Sequence, residues 1–187
     1  MIASLRVRYK GVDTALRALA RCRALGRADL ELRILGDGDP EPWQAHAHRL
    51  GVLEQVRFDG VRPSGDPVMA WLDGLDLYLQ PSRQEGLPRS LLEAMSRGCP
   101  ALGTRCGGIP ELLPEEALVA PGDDRGLAER IRGAVADPAW CREQARRNWE
   151  LATRFTAARL EPRRRAFWAA FAKYARSGLV RPPDPAA

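Results

Sequence analysis

Short apolar runs alternate with segments of helical period along most of the chain. The runs at 1–5, 30–35, 56–58, 75–80, 101–103 and 117–119 are too short for helices and predict strands. Glycine turns such as Gly36-Asp37-Gly38 and Asp59-Gly60 close several of them. Between the first two runs, Val12, Ala15, Leu16, Leu19 and Cys22 share one face at helical spacing. They predict a helix over 12–25, stopped by Gly26. Further helices are predicted at 41–50, ended by Gly51, at 67–72, and at 89–97, stopped by Gly98 and Pro100. Beyond Asp123 the pattern is helical throughout, with segments 124–136, 138–153 and 156–176.

Strands alternating with helices along most of the chain predict an α/β fold, a doubly wound (Rossmann-like) parallel sheet of about six strands with extra C-terminal helices. Right-handed crossovers stack such units, and ligands bind at the carboxyl ends of the strands. The loops that matter are therefore 6–10, 36–38, 60–63, 81–88 and 104–110. The domain reading is a nucleotide-binding domain over 1–155, a terminal helix over 156–178 and a disordered tail over 179–187, where proline and small residues dominate.

Composition narrows the class. The 187 residues suit one domain, and 45% hydrophobic with 28% charged residues is ordinary for a globular protein. The formal charge of +5 favours anionic partners. Of the 29 basic residues only Lys10 and Lys173 are lysine, which draws attention to Lys10. Four cysteines stand alone, without CxxC pairs or zinc spacing, and predict free thiols in a reducing compartment. No run approaches the roughly 18 apolar residues of a spanning helix, and the N-terminus lacks a leader pattern. The expectation is a cytoplasmic protein. Arg163-Arg164-Arg165, beside the aromatic residues Phe167, Trp168, Phe171 and Tyr174, raises peripheral contact at the inner face of the membrane.

The chemistry concentrates at residues 81–95, Pro81 to Met95. A strand ends, a loop carries Glu85-Gly86, and Pro88 falls where a first helical position is expected. A helix N-terminus offers free N–H groups and partial positive charge, a site suited to a diphosphate. Gly86 lets a ligand come close to the backbone. Glu85 lies beside that site and Glu93 about one and a half turns into the helix. Carboxylates accept hydrogen bonds from hydroxyls. Two of them flanking an anion site suggest a ligand with phosphates in the middle and hydroxyls at both ends, and a nucleotide sugar has that shape.

The string from Glu85 to Leu113, EGLPRSLLEAMSRGCPALGTRCGGIPELL, resembles the sugar-donor signature of glycosyltransferase family 4, whose members have the GT-B fold. Its core is the pair of glutamates with seven residues between them. Lys10-Gly11, Leu35-Gly36-Asp37-Gly38, Phe58-Asp59-Gly60 and the run from Asp76 to Ser82 follow the family's order. The resemblance covers about residues 1–155 and identifies the chain with the C-terminal, donor-binding half of that fold.

The resemblance implies retaining transfer of a hexose from a UDP-, GDP- or ADP-sugar to an acceptor hydroxyl, with no cofactor and no bound metal. It makes Glu85 and Lys10 catalytic, Glu85 on hydroxyls of the sugar and Lys10 on the diphosphate. Glu93 would hold the ribose hydroxyls, the N–H groups of Gly86 and Leu87 the diphosphate or sugar, and the loop of Val61 and Arg62 the base. The family's arginine after the first strand has no direct counterpart in Ala3-Ser4-Leu5-Arg6-Val7-Arg8, so Arg6 and Arg8 are both candidates. Gly107-Gly108 would shape the pocket wall. The family's first domain is not in the sequence, which implies a truncated or split enzyme with little turnover alone and a separately encoded N-terminal acceptor domain as partner. The alternative is a non-catalytic nucleotide-sugar-binding or interaction module.

Other classes fit less well. Gly36-Asp37-Gly38-Asp39-Pro40 lacks the third glycine of a dinucleotide fingerprint. The basic residues are dispersed without a recognition motif, so nucleic acid is not expected. His46 and His48, two apart on a helix, do not share a face for a metal.

Overall fold

The computed structural model describes residues 1–176. It separates into a compact unit Met1–Ala152 and a second unit that begins at Thr153. The expected tail at 179–187, and the last two residues of the expected terminal helix, lie outside the described residues.

Among the described residues five parallel strands form two sheets. In the first, β1 (Leu32–Ile34) pairs with β2 (Val56–Phe58), Leu32 opposite Val56. In the second, β3 (Tyr78–Gln80), β4 (Ala101–Thr104) and β5 (Leu118–Val119) lie in that order. The sixth strand expected at 1–5 is reduced to a single parallel bridge between Ile2 and Leu35. Its backbone still follows β1, with Ala3 N–H donating to Leu35 O at 2.9 Å and Leu5 N–H to Asp37 O at 2.7 Å. A side chain replaces the ladder on its other flank. The Ile2 N–H donates to the hydroxyl of Tyr78 at 3.3 Å rather than to a backbone carbonyl of β3.

The helices are α1 (Val12–Ala24), α2 (Glu41–Arg49), α3 (Asp66–Asp73), α4 (Arg89–Ser96), α5 (Asp124–Ala136), α6 (Pro138–Ala152) and, in the second unit, α7 (Ala157–Arg176). Their places match the periodicity, and glycines at positive φ follow α1, α2 and α4, namely Gly26, Gly51 and Gly98. Helix α1 packs against α2 and α5, and α4 against α3 and α6, giving the two helical groups of a doubly wound domain. The α1 face read from the sequence is buried, as are Leu91, Met95, Leu102, Ile109 and Leu127. Asn148 of α6, fully buried, donates to Cys99 O at 2.9 Å and ties α6 to the entry of β4. In α7, Phe167, Trp168 and Phe171 are exposed to solvent and in ring contact with one another.

One polar cluster fixes the carboxyl ends of β1 and β2. Asp59 accepts from Arg33 Nε at 2.9 Å and from the Trp71 indole at 2.7 Å. Its backbone N–H reaches Ile34 O, and the Gly36 N–H reaches Gly60 O at 2.7 Å. Loops 36–38 and 60–63 are thereby held side by side. Burial pushes the Asp59 carboxyl up, but the Trp71 and Arg33 hydrogen bonds and the charges of Arg33 and Arg57 outweigh it and hold the group below its ordinary value. A depressed folded value means stability that is complete above the unfolded value, about 4, and is lost as pH falls through the folded one. Replacing Asp59 by Ala leaves the indole and guanidinium without their acceptor, at a cost of about 2–4 kcal/mol. Urea unfolding at pH 7 should show that loss, and a series below pH 4 should show wild type and variant converging.

Candidate functional site

The site is assembled where the turn after the opening segment meets the loop after β3. A 3₁₀ turn, Arg8–Lys10, ends at Gly11 in the left-handed region, φ 73°. A Cβ on Gly11 would lie 1.9 Å from the carbonyl oxygen of Pro81, so only glycine permits this approach. The contact delivers Lys10 to the other loop. Lys10 Nζ donates to Glu85 Oε1 at 2.7 Å. The Glu85 side chain is only 8% exposed and that of Lys10 22%.

Two further groups share the same oxygen. Ser82 Oγ donates to Glu85 Oε1 at 2.8 Å and Gln80 Nε2 at 2.9 Å. Glu85 Oε2 receives no hydrogen bond among the described residues. Lysine carries three N–H bonds, and one is used here. The neighbouring backbone is similarly open. Among the described residues the N–H groups of Gly86 and Leu87 donate to no protein acceptor, and a Cβ on Gly86 would meet none of their atoms within 4 Å. From the other side Gly107 and Gly108 close on this loop. The Gly108 N–H donates to Gly86 O at 2.7 Å, and a Cβ on Gly107 would lie 2.0 Å from Glu85 O.

Pro88 is the N-cap of α4 and not its first helical residue; its backbone is extended, at φ −73° and ψ 111°. Its ψ keeps it outside the helix, and the loop before it, bent at Gly86 and Leu87, sets Glu85 beside Lys10. Helix α4 then starts at Arg89, and Ser90 and Glu93, three residues apart, lie on one face of it. Ser90 Oγ donates to Gln80 Oε1 at 3.3 Å, joining that face to the Glu85 network. Glu93 is half-buried, and its carboxylate has no hydrogen-bond or salt-bridge partner among the described residues. Burial raises its carboxyl above the ordinary value, and Arg89 offsets this only in part.

The candidate arginines take different places. Arg6 is exposed and pairs with Asp37 at 2.8 Å. Arg8 is exposed, and its carbonyl, not its guanidinium, is tied down, accepting from Gly11 N–H and from Arg83. Val61 and Arg62 are exposed in the loop beside Gly36. Lys10, Glu85, Gly86 and Leu87 are thus brought together, Glu93 is linked to them through Ser90 and Gln80, and Val61 and Arg62 sit on a separate loop at the ends of β1 and β2.

Sequence reasoning missed the supports. Gln80, Ser82, Arg83 and Asp13 carried no role there. Arg83 makes a two-pronged pair with Asp13 at 2.7 and 2.8 Å, donates to Thr14 Oγ1 at 3.1 Å, and gives its N–H to Tyr9 O at 2.7 Å. It clamps the Lys10 turn to the Glu85 loop. The available signal was polarity inside a buried run, Gln80 and Ser82 being 1% and 0% exposed. A cavity of about 720 Å³ also opens among Leu19, Leu32, Arg33, Leu77 and Ile131, but it contains none of the site residues. Among the described residues no three His, Cys, Asp or Glu side chains gather as metal ligands, and no helix is long and apolar enough to cross a membrane.

The Rossmann-like domain thus gathers a lysine, a buried carboxylate and, among the described residues, loop N–H groups without an acceptor at its strand ends. The family model described as glycosyl transferases group 1 matches residues 1–137, and the chain belongs to that family. A putative colanic acid biosynthesis glycosyltransferase, WcaL of Escherichia coli K12, is 36% identical over 137 residues, 65% of this chain and 32% of WcaL. The Anabaena protein HepE, solved in complex with UDP-glucose, superposes with a TM-score of 0.82 at 23% identity over 90% of this chain and 47% of its own. The C-terminal domain of LpcC, a group 1 family glycosyl transferase of Francisella tularensis, superposes with a TM-score of 0.67 at 20% identity, over 81% of this chain and 82% of that domain. The fold is that of the C-terminal Rossmann-like domains of GT-B glycosyltransferases. The chain spans about a third of the length of the curated relatives it matches.

Glu93 yields a stability test. A raised folded value means stability complete below the unfolded value and lost as pH rises through the folded one. Glu93→Gln removes a half-buried charge without a partner. Its Tm should exceed that of wild type at pH 7 by about 1–3 °C, and the two should converge near pH 4; a lower Tm at pH 7 would mean that Glu93 has a structural partner.

Proposed function

We propose that the chain binds a nucleoside-diphosphate sugar and supplies the donor-binding half of a retaining hexosyltransferase. The observation that carries this reading is the Lys10–Glu85 pair, 2.7 Å apart beside the unused N–H groups of Gly86 and Leu87. Lys10 keeps two N–H bonds for the diphosphate. Glu85 Oε2 accepts from sugar hydroxyls, and Glu93, already desolvated, accepts from the ribose. Val61 and Arg62 border the base, and Arg6 or Arg8 adds positive charge to the diphosphate.

The acceptor hydroxyl oxygen bonds to the anomeric carbon on the face from which the diphosphate leaves. The anomeric C–O bond breaks with its electron pair on the diphosphate, and the acceptor's proton passes to a departing phosphate oxygen. Lys10 and the loop N–H groups stabilise that charge in place, a preorganised electrostatic role that asks for no bound metal. Glu85 fixes the orientation of the sugar. The acceptor comes from a complementary domain, within a longer chain or as a separate one. UDP-glucose is the first candidate because HepE, of like fold, was solved with it.

Titration calorimetry with UDP-, GDP- and ADP-sugars tests the reading. One of them should bind, Lys10→Met should weaken it by more than about tenfold, and Glu93→Ala by about tenfold, roughly 1.4 kcal/mol. No binding by any of them, or variants that bind like wild type, would defeat it. The chain alone should turn over little, and added acceptor domain should raise the rate; robust transfer without it would contradict the division of labour.

A second proposal concerns α7. Its exposed Phe167, Trp168 and Phe171, flanked by Arg163, Arg164 and Arg165, support peripheral contact with anionic lipid at the cytoplasmic face, where four free cysteines are also at home. Phosphatidylglycerol vesicles should sediment the chain in low salt and phosphatidylcholine vesicles should not; equal behaviour would reject it.

A further inference from the structure

Gln80 breaks the pattern of its strand. All three residues of β3 are buried, and an amide there is costly unless every polar atom is satisfied. Gln80 meets that demand in full. Its Nε2 donates to Ser82 Oγ at 3.0 Å and to Glu85 Oε1 at 2.9 Å. Its Oε1 accepts from Tyr78 Oη at 3.1 Å and from Ser90 Oγ at 3.3 Å. The amide orientation follows from chemistry. An ionised Glu85 only accepts, so the nitrogen must face it and the oxygen must face the two hydroxyls.

We propose that Gln80 is a positioning residue for the sugar: it holds Oε1 of Glu85 against the protein and so turns Oε2 to the ligand. The inference rests on the sugar-donor reading of Glu85 above. Three hydrogen bonds converge on Oε1, from Lys10, Ser82 and Gln80, and Gln80 is braced from behind by Tyr78 and Ser90. Tyr78 accepts the Ile2 N–H at 3.3 Å, which anchors the brace to the opening segment. Ser90 lies on the Glu93 face of α4, so one amide spans the carboxylate of the sugar subsite and the helix of the ribose subsite. Short polar chains of this kind strengthen one another inside a low-dielectric strand.

The test separates sugar from nucleotide. Wild type, Gln80→Met, Glu85→Ala and the double variant are titrated with UDP and UDP-glucose, with GDP and GDP-mannose and with ADP and ADP-glucose in parallel. For the pair that binds, Gln80→Met should weaken the sugar nucleotide about tenfold and leave the free nucleoside diphosphate within about twofold. In the Glu85→Ala background it should change neither. Equal weakening of both ligands, unchanged sugar-nucleotide binding, or full additivity with Glu85→Ala would overturn the inference. If Glu85→Ala itself treats the two ligands alike, the sugar-donor reading fails instead. Should Gln80→Met not fold, Tyr78→Phe and Ser90→Ala each remove one hydroxyl from the brace, and each should weaken the sugar nucleotide selectively by about two- to threefold; no selectivity in either would overturn the inference.

Discussion

Three hydrogen-bond donors crowd one carboxylate oxygen, Oε1 of Glu85, and the rest of the site is arranged so that they can. Lys10 arrives from the turn after the opening segment, Gln80 from the end of β3 and Ser82 from the loop that follows. A carboxylate this buried would be costly alone; paired and hydrogen-bonded it is held in one orientation. The outcome is asymmetric. One oxygen is occupied by the protein, and the other is left to a hydroxyl of the proposed sugar.

Main-chain contacts bring those groups together. At Gly11 and Gly107 a side chain would collide with the backbone of the Glu85 loop, at Pro81 and at Glu85 respectively. Arg83 adds a two-pronged ion pair to Asp13. Burial tends to raise the Asp13 carboxyl, but hydrogen bonds and charge from Arg83 and Arg17 hold it low, so the clamp is charged at neutral pH. Rigid loops braced in this way suit a site that must meet charge developing on a leaving group without rearrangement.

Glu93 shows the opposite economy. Where Glu85 is satisfied by the protein, the Glu93 carboxylate is desolvated and, among the described residues, takes no hydrogen bond or salt bridge, the charge of Arg89 offsetting its burial only in part. A desolvated acid of this kind lowers the stability of the ligand-free protein at neutral pH, and a ligand hydroxyl would supply the hydrogen bond it lacks. The contrast between the two acids gives them separate proposed tasks, one on the sugar and one on the ribose, within one short stretch of chain.

Much of the fold was legible from local pattern. Helical period, strand-length runs and glycine stops placed α1, α2, α4 and α5 and all five strands within a few residues, because burial of one face dictates spacing along the chain. The paired glutamates and Lys10 were visible as residue types in motif order. The opening strand was overstated, since its second flank is met by a tyrosine hydroxyl from β3, which no local pattern reveals. Pro88 was placed one position too far into α4, because the path of the loop before it is set by partners elsewhere. Gln80 read as the end of a strand, and Arg83 as one more arginine. Their roles depend on which atoms lie across from them, at Glu85 and Asp13, and that pairing exists only once β3, the turn at Gly11 and the N-terminus of α4 have been packed together.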